Sequence, residues 1–548
     1  MDLLLTAPDE GQRYRRIGLW RDITIFEQFE AQTKTRLDKV AAIDSQRQYT
    51  YGELLAYTRN IAGNLIAKGF KAGDVIAVQL PNRAELPLMH LAANRIGAVI
   101  LPIHDSWHQA ELPHLLKQGK AVATIVPHKY RDIDYPAILA GLRGELPNLR
   151  TIFTIGGAGG GTERFEDLLA PSNLDDAALQ KYRPDPDAPA CLMLSSGTTS
   201  MPKISVFSSN DLLALLIPFW HGIRLTSEDI AAALAPAGTG AIGYVYPILS
   251  PLLNGATTII LERWGEPAEA VELILKHRCT YATAVPAQLT QMLPELEKRK
   301  PADFAAFRLF SNAGAPLPYE IGRKVEDAMQ CRIYVIYGAT DGGVACSTDY
   351  DDPQEKRLTT VGKPLQGREV VLMDANGKPV PAGEPGEIYW RTPDKSYGYL
   401  NDPQATRSVF TADRFYKSGD LGTFDAEGYV KIIGRVKDMI IRGGRNISPR
   451  LIEEMVITHP SVTEVAVVAM PDRVMGERAC AFVLLKPGAK LSFDEMIRFL
   501  RERRAPTWQM PERLEIVADF PRSAGGKVMK NKLTELVTDK LKAEGALV

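Results

Sequence analysis

A hydroxyl-rich loop reads Leu194-Ser195-Ser196-Gly197-Thr198-Thr199-Ser200-Met201-Pro202-Lys203 and directly follows an apolar strand. Its hydroxyls can donate hydrogen bonds, its glycine lets the backbone approach a ligand closely, and its lysine adds positive charge. A polyphosphate-wrapping loop is therefore predicted, with contributions from Ser195, Ser196, Gly197, Thr198, Thr199 and Lys203. It is not a Walker A loop, because no Gly-Lys pair in the chain is followed by Ser or Thr. Taken alone, the loop is better explained as a surface turn, so the prediction depends on the other motifs.

Other motifs follow in order along nearly the whole chain. They are Tyr49-Thr50-Tyr51-Gly52-Glu53-Leu54, Leu80-Pro81-Asn82, Ser311-Asn312-Ala313-Gly314-Ala315-Pro316, Tyr337-Gly338-Ala339-Thr340-Asp341, Tyr416-Lys417-Ser418-Gly419-Asp420, residues 434–447 and Pro521-Arg522-Ser523-Ala524-Gly525-Gly526-Lys527. With them, the chain resembles the adenylate-forming superfamily of acyl-CoA synthetases, luciferase-type enzymes and peptide-synthetase adenylation domains. It looks most like bacterial carboxylate-CoA ligases for cyclic or medium-chain acids, of the cyclohexanecarboxylate- or benzoate-CoA ligase type. Singly, each motif also has a structural explanation.

The resemblance implies an ATP site. Gly314-Ala315-Pro316 is expected to lie against the adenine, and Tyr337-Gly338 to present an aromatic ring to the same base. Thr340 is expected to contact the phosphate and Asp341 to hold Mg²⁺, and both are assigned catalytic roles. Asp341 is one methylene shorter than the family's usual Glu, so its contact with the metal can run through water, which magnesium sheds reluctantly.

The resemblance also assigns roles to the C-terminal third of the chain. Asp420 is expected to accept hydrogen bonds from the ribose hydroxyls, with help from Arg435. Lys527 is assigned to drive adenylation, and Lys437 to act as the hinge about which a C-terminal domain rotates. Gly443-Gly444 is then expected to line a tunnel for the pantetheine arm of coenzyme A, although an ordinary tight turn is the alternative.

The carboxylate pocket departs from the family pattern. Many relatives have Pro-x-x-His where this chain has Pro236-Ala237-Gly238-Thr239, so small residues replace an aromatic gate. The predicted pocket is lined by Asn210, Trp220, Ala237, Gly238, Thr239, Tyr244, Ala313 and Ala339. It is mainly apolar, and no acidic residue stands out to bind an ammonium group. An alicyclic, aromatic or medium-chain acid is therefore favoured over acetate or an amino acid.

Size and composition limit the classes of function. The chain has 548 residues, of which 45% are hydrophobic and 24% are charged, with a net charge of -1. Near neutrality argues against a nucleic-acid partner. Five cysteines without C-x-x-C spacing and the lack of a secretory signal predict a cytoplasmic protein. Residues 231–261 carry no charge, but prolines and glycines interrupt them too often for a membrane span; we predict a strand, a pocket-lining loop and a buried helix there.

Alternating strand and helix patterns predict an α/β fold. Val75-Ile76-Ala77-Val78, a helix over residues 85–95 and another strand near Val99 form one such unit, which argues for parallel sheets covered by helices. We predict an N-terminal adenylation domain over residues 1–436, containing an antiparallel β subdomain at about 365–436, and a mobile α+β C-terminal domain over 437–548. Ser492 and Glu495 have capping-box spacing at a helix start in the latter.

The favoured function is ATP-dependent activation of a carboxylic acid to an acyl-adenylate, followed by transfer to coenzyme A, with AMP and pyrophosphate released. Cyclohexanecarboxylate is a leading candidate for the acid. One alternative is a stand-alone adenylating enzyme that loads a carrier-protein thiol, and another is a nucleotide-binding protein without catalysis. The expected partners are the acid, ATP, Mg²⁺ and coenzyme A. The resemblance also allows a homodimer and a lysine-acylating enzyme that modifies Lys527.

Overall fold

The computed structural model describes residues 8–107, 111–195, 201–381, 383–522 and 528–547. Its strands are β1 Val40–Ile43, β2 Gln48–Thr50, β3 Val75–Val78, β4 Val99–Pro102, β5 Ala121–Pro127, β6 Lys129–Tyr130, β7 Ile133–Asp134, β8 Thr151–Ile155, β9 Glu163–Arg164, β10 Pro189–Ser195, β11 Lys203–Ser208, β12 Ile230–Ala233, β13 Thr257–Ile260, β14 Tyr281–Ala284, β15 Leu309–Asn312, β16 Arg332–Ala339, β17 Gly343–Ser347, β18 Lys363–Pro364, β19 Glu369–Met373, β20 Gly386–Arg391, β21 Tyr416–Phe424, β22 Val430–Arg435, β23 Ile440–Arg442, β24 Arg445–Ile447, β25 Val462–Asp472, β26 Gly476–Leu485 and β27 Arg513–Ile516.

The α-helices are α1 Pro8–Arg16, α2 Ile25–Thr33, α3 Tyr51–Ala67, α4 Glu85–Arg95, α5 Glu111–Gln118, α6 Tyr135–Leu142, α7 Asp176–Leu179, α8 Ser209–Gly222, α9 Ser250–Asn254, α10 Pro267–Lys276, α11 Pro286–Leu296, α12 Tyr319–Met329, α13 Gln354–Thr359, α14 Pro403–Val409, α15 Pro449–Val456, α16 Phe493–Glu502 and α17 Lys530–Ala543. Among the described helices, none combines the length and the apolar character that crossing a bilayer requires.

Two large sheets form the N-terminal part, and both are mainly parallel. The strand order is β18-β17-β16-β15-β14-β12-β13-β1-β2 in the first sheet and β11-β10-β4-β3-β5-β8-β9 in the second. Antiparallel pairs occur only toward the edges, at β1–β2 and β16–β17–β18 in the first and at β10–β11 in the second. The largest hydrophobic cluster joins residues of both sheets with residues of α3, α4 and α8. The predicted parallel α/β architecture is confirmed.

Two smaller sheets follow. Strands β19-β20-β21-β22 form an antiparallel sheet whose core, including Trp390 and Tyr416, packs on Tyr337 of β16. Strands β24-β23-β26-β25, with β27 beside β26, form an α+β unit with α15, α16 and α17. The fold class is therefore as predicted, down to the capping box in which Ser492 and Glu495 satisfy each other's backbone N–H groups.

The uncharged region 231–261 differs from the prediction in its middle. The expected strand and buried helix are present as β12 and α9, but the expected loop is a short 3-10 turn, Ala237–Thr239, followed by a π-helix, Ala241–Leu249. A π-helix has i→i+5 hydrogen bonds and a wide backbone. It is rare in proteins and often occurs at functional sites. Helical periodicity is not legible here because Pro247 and Gly243 lie inside the helix and almost every side chain is buried.

Candidate functional site

The candidate site lies at the carboxyl ends of three neighbouring parallel strands. Ala284 of β14 pairs with Asn312 of β15, which pairs with Val335 of β16. The segments that continue from these strands therefore meet at one edge of the sheet, where open α/β sheets bind ligands. They include residues 313–318 after β15 and the turn 340–342 between β16 and β17.

A phenol, a carboxylate and a guanidinium form the first group of the site. The Tyr337 hydroxyl donates to Oδ2 of Asp420 at 2.7 Å, and Nε of Arg435 lies 2.8 Å from Oδ1. Asp420 and Arg435 are direct partners across β21 and β22, so sheet register places both side chains. The Tyr337 ring packs edge-on against Trp390, with centroids 5.3 Å apart. Burial, followed by the charge of Asp420, raises the pKa of Tyr337, which therefore stays a neutral donor.

Asp341 forms the second group and is almost completely buried, with 6% of its surface exposed. The Tyr416 hydroxyl donates to Oδ1 at 3.1 Å, and the Tyr399 hydroxyl donates to Oδ2. Ser396 holds the Asp341 main-chain oxygen through its N–H at 3.0 Å and its hydroxyl at 2.8 Å. Burial and the nearby Asp341 charge raise the pKa of both tyrosines, which keeps both phenols protonated as donors.

The carboxylate oxygens of Asp341 are suitable ligands for Mg²⁺ bound together with a polyphosphate. Each carboxylate oxygen accepts one tyrosine hydrogen bond and retains a further lone-pair direction. Within the described ranges, no three His, Cys, Asp or Glu side chains group as a metal cage. Magnesium usually takes only one or two protein carboxylates and completes its shell with phosphates and water. A single buried Asp beside the predicted phosphate loop meets that requirement.

The phosphate hairpin, formed by β10 and β11, supplies the third group. Ser195 ends β10, Lys203 begins β11, and the two are direct cross-strand partners. Nζ of Lys203 lies 4.8 Å from the centroid of the Tyr399 ring, within range of a cation–π interaction. The hairpin therefore reaches the same tyrosine that bonds Asp341. The predicted contributors Ser196, Gly197, Thr198 and Thr199, and the predicted catalytic Lys527, lie outside the described residues.

Two glycines are favoured by the local geometry, Gly338 by a close backbone contact and Gly314 by its positive φ. A Cβ on Gly338 would lie 2.4 Å from the Gly343 carbonyl oxygen across the β16–β17 hairpin. Gly314 has a φ of +89°, and a Cβ there would lie 2.9 Å from Ile242 at the start of the π-helix. The exposed Gly314-Ala315-Pro316 loop thus lies next to the π-helix, with buried Ala313 immediately before it.

Most of the chain matches one family of nucleotide-dependent enzymes. Residues 29–400 match the model of the AMP-binding enzyme family, and residues 451–527 match the AMP-binding enzyme C-terminal domain. The chain belongs to the AMP-binding enzyme family. It is an adenylate-forming acid–thiol ligase.

Relatives of this AMP-binding enzyme cover nearly all of its length. The medium-chain fatty-acid–CoA ligase of Escherichia coli (strain K12) is 31% identical, with 97% of this chain and 93% of the relative covered. The 2,3-dihydroxybenzoate-AMP ligase of Bacillus subtilis (strain 168) is 28% identical, with 98% of each covered. The solved structure of a benzoate CoA ligase from Burkholderia xenovorans LB400 has a TM-score of 0.80 at 26% identity, covering 93% of this chain and all of the other.

In this AMP-binding enzyme, three residues of the predicted acid pocket can be located. Ala313 immediately precedes the Gly314 loop, which contacts Ile242 beside Tyr244 of the π-helix, and Ala339 is the last residue of β16. Tyr244 of that helix is buried, and its hydroxyl shares a 2.8 Å hydrogen bond with Nδ1 of buried His90. Burial lowers the pKa of His90 to about 3, so this pair is neutral.

The 237–239 turn is fixed by backbone packing. The Ala237 N–H donates to Asn82, and the Thr239 hydroxyl donates to the Pro236 carbonyl. A Cβ on Gly238 would lie 2.4 Å from the His104 main-chain nitrogen, so glycine is required for this contact. Gly238 was predicted to line the acid pocket, and in the structure the position of a Cβ at this residue faces the His104 main chain.

Asn210 and Trp220 are not brought to the site. The Asn210 amide bonds Asp187, two residues before β10, which is the end of the strand opposite Ser195. Trp220 donates through its indole N–H to the hydroxyl of Ser250, the first residue of α9, at 2.9 Å. Both were predicted as pocket lining, and in the structure both side chains have hydrogen-bond partners outside the predicted pocket. We leave both out of the proposed pocket.

The predicted hinge and tunnel residues lie in short connections. Lys437 is in a 3-10 turn, Val436–Asp438, between β22 and β23. Gly443 and Gly444 form the β23–β24 turn with φ values of +54° and +81°, and Gly443 N–H donates to the Met475 carbonyl. A tight turn is therefore present, and its use by coenzyme A remains a prediction.

Sequence reasoning missed the partners of Asp341. Tyr416 was within a recognised motif but had no assigned role, and Tyr399 was not singled out. The only signal was an aromatic pair, Tyr397 and Tyr399, around Gly398, which by itself is typical of ordinary core packing.

Proposed function

We propose that this enzyme activates a carboxylic acid with ATP to an acyl-adenylate and transfers the acyl group to coenzyme A. The observation that carries the proposal is the Tyr337–Asp420–Arg435 group at the edge of the sheet that also holds Asp341. A buried aromatic ring beside a carboxylate with a fixed orientation suits an adenine with its ribose. Vicinal ribose hydroxyls are donors that an ionised carboxylate accepts well.

The reaction joins two anions, so the protein has to supply positive charge. Two like charges 4 Å apart repel by about 4 kcal/mol at an effective dielectric of about 20. Lys203 stands at the phosphate hairpin, and Arg435 is half-exposed beside Asp420. Mg²⁺ held by Asp341 would supply further positive charge at the phosphates when bound. We assign Lys527 to the contact between the acid and the α-phosphate, where its attraction grows as the bridging bond forms.

The phosphate contacts are assigned to the hairpin and the adjacent turn. Thr340 is half-buried next to Asp341 in the β16–β17 turn, where its hydroxyl can donate to a phosphate. Ser195 and Lys203 flank the hydroxyl-rich residues 196–199, which we assign to the β- and γ-phosphates. Departing pyrophosphate would remain neutralised by these groups.

An apolar acid suits the pocket edge best. Ile242, Ala313 and Ala339 present carbon atoms, and the hydroxyl of Tyr244 is already bonded to His90. We therefore propose an alicyclic, aromatic or medium-chain acid, with cyclohexanecarboxylate as a leading candidate. The relatives named medium-chain fatty-acid–CoA ligase and benzoate CoA ligase support this choice.

Coenzyme A is the proposed thiol, with Gly443-Gly444 lining its path after rotation about Lys437. The domain limits 1–436 and 437–548 belong to this proposal. In their support, residues 440–547 form two hydrophobic clusters of their own. One hydrogen bond crosses the proposed boundary, from the Ser448 hydroxyl to the Ile433 carbonyl.

A carrier-protein thiol is the second candidate acceptor. Relatives named 2,3-dihydroxybenzoate-AMP ligase and triostin synthetase I align over nearly the whole chain, and their names do not mention coenzyme A. A protein that binds nucleotide without catalysis is disfavoured, because Asp420 and Asp341 keep ordered hydrogen-bond partners.

A two-stage assay tests the proposal. Acid-dependent exchange of pyrophosphate into ATP would show adenylation across a panel of cyclic and linear acids. Addition of free coenzyme A should then release AMP at a steady rate for the preferred acid. Exchange without CoA-dependent AMP release would favour the carrier-protein candidate, and absence of exchange with every acid would contradict adenylation.

We also propose a cytoplasmic location. All five cysteines are unpaired and buried, which suits a reducing compartment such as the cytoplasm. A homodimer and acylation of Lys527 remain predictions.

A further inference from the structure

Residues 394–400, named here the bridging segment, add a short strand to the phosphate hairpin. The Tyr397 N–H donates to the Val206 carbonyl at 2.9 Å, and the Leu400 N–H donates to the Ile204 carbonyl at 2.7 Å. Ser205 and Tyr399 form an antiparallel bridge between them. The segment therefore runs along β11, the strand that leaves the phosphate loop.

The same segment holds the turn that carries Asp341. Ser396 bonds the Asp341 carbonyl through both its N–H and its hydroxyl. Asp394 accepts a hydrogen bond from the Val344 N–H at 2.9 Å and pairs with Arg368 in a completely buried ion pair. Removing one partner of such a pair is strongly destabilising, so the segment is firmly anchored. It links the second large sheet, through β11, to the β16–β17 hairpin of the first.

Tyr399 is the residue of this segment whose side chain contacts both Asp341 and the phosphate hairpin. It is 5% exposed, and its hydroxyl donates a hydrogen bond to Asp341. Its ring faces the ammonium group of Lys203. The Thr406 hydroxyl accepts a hydrogen bond from the Tyr399 N–H at 2.9 Å and fixes the main chain. The Tyr399 side chain thus contacts a predicted metal ligand through its hydroxyl and, through its ring, Lys203 at one flank of the predicted phosphate loop.

We infer that Tyr399 is a positioning residue for the metal–nucleoside triphosphate complex; the inference rests on the proposed function. Its hydroxyl orients one oxygen of the Asp341 carboxylate, while Tyr416 holds the other. Its ring restrains Lys203 at the phosphate hairpin. Tyr399 thereby fixes the distance between the acid that binds magnesium and the lysine that binds phosphate, without touching the reacting atoms.

The expected loss of ATP affinity can be judged from hydrogen bonds to metal ligands in general. Groups that hydrogen-bond a metal-ligating side chain fix its orientation, and their loss typically weakens metal affinity or activity about 10- to 100-fold. Removing the hydroxyl alone should therefore weaken ATP binding only when magnesium is present. Removing the ring as well should also weaken metal-free ATP binding, because Lys203 loses the surface against which it packs.

The test compares Y399F with the control Y397F. Tyr397 lies in the same segment, is equally buried, and its hydroxyl donates at 2.9 Å to the Asp187 carbonyl, far from Asp341. Calorimetric titration without acid substrate would give the dissociation constants for preformed MgATP and for ATP in a chelator. We expect Y399F to bind MgATP about 10-fold more weakly than wild type and metal-free ATP unchanged. Y397F should match wild type in both, and Y399L should weaken both.

Two results would overturn the inference. If Y399F kept the wild-type ratio of MgATP to ATP affinity, Tyr399 would not position the carboxylate. If Y399F and Y397F lost binding of both ligands equally, the effect would belong to folding. A wild-type enzyme that binds MgATP and ATP equally would instead refute the magnesium assignment in the proposed function, and the inference with it.

Discussion

The two carboxylates of this site are held in fixed orientations by hydrogen-bond donors. Asp420 is bonded by a phenol and by a guanidinium, and Asp341 by two phenols. Asp420 receives its donors from β16 and from the neighbouring strand β22, and Asp341 receives its donors from the bridging segment and β21. Such charge-assisted hydrogen bonds are about twice as strong as neutral ones and fix orientation. They define the residues at which substitution should affect nucleotide binding most.

Asp420→Asn should weaken ATP binding strongly. The substitution removes the charge that pairs with Arg435 and with the ribose hydroxyls, and hydrogen bonds to charged groups contribute about 1.5–3 kcal/mol. We expect the KM for ATP in pyrophosphate exchange to rise at least about 10-fold. Asp425→Asn is the matched control, because Asp425 lies in the turn of the same β21–β22 hairpin and pairs with Lys356. Equal effects of the two substitutions would contradict a ribose role for Asp420.

His90 should make stability depend on pH. Its pKa falls from 6.5 to about 3 on burial, so below pH 6.5 the unfolded chain takes up a proton that the folded chain does not. The contribution of His90 to the free energy of unfolding therefore falls by about 2 kcal/mol between pH 7 and pH 5. His90→Gln should remove that amount from the pH dependence of the free energy of unfolding, measured with urea at both values.

Tyr244→Phe serves as the control for His90. It removes the hydroxyl bonded to His90 but keeps the imidazole buried, and burial is the cause of the lowered pKa. Its stability should be lower at both pH values with the wild-type difference retained. A His90→Gln variant with the full wild-type pH dependence would refute the linkage.

At the scale of elements, the connections carry more of the function than the strands do. The bridging segment joins two sheets, the π-helix borders the proposed acid pocket, and a three-residue 3-10 turn separates β22 from β23 at the proposed hinge. Local sequence patterns predicted the regular elements accurately, as with the strand Val75–Val78 and the helix Glu85–Arg95.

The hinge turn should be sensitive to backbone restriction. Lys437→Pro fixes φ at 437 and restricts the preceding residue, so rotation about the turn should be hindered. We expect thioester formation to slow at least about 10-fold while pyrophosphate exchange changes little. Lys437→Ala removes the same side chain without restricting the backbone and should leave the ratio of the two rates near wild type. An unchanged ratio in Lys437→Pro would count against the hinge.

At the scale of the whole molecule, two half-reactions are expected to use different arrangements of the same chain. The C-terminal unit carries both Lys527 and Gly443-Gly444, which we assign to adenylation and to the thiol path. One domain position cannot place both at the acyl group, so each half-reaction should be separately sensitive to substitution.

Lys527→Ala should separate the half-reactions. Loss of the ammonium group removes attraction that grows in the transition state of adenylation, so exchange should fall by about 100-fold or more. Thioester formation from supplied acyl-adenylate should remain within a few-fold of wild type. Lys530→Ala, three residues on and paired with Glu453, is the control. Equal loss of both half-reactions would contradict the assignment of Lys527.

The sequence by itself determined the kinds of groups present, the α/β alternation and the antiparallel sheet after residue 365, because local periodicity and turn residues encode these directly. Only the tertiary structure decided which groups meet. Tyr337 finds Asp420 across 83 residues and Tyr399 finds Asp341 across 58, because strand ends and cross-strand register bring distant segments to one edge. For the same reason we leave Asn210 and Trp220 out of the proposed pocket, because their side chains bond Asp187 and Ser250 instead.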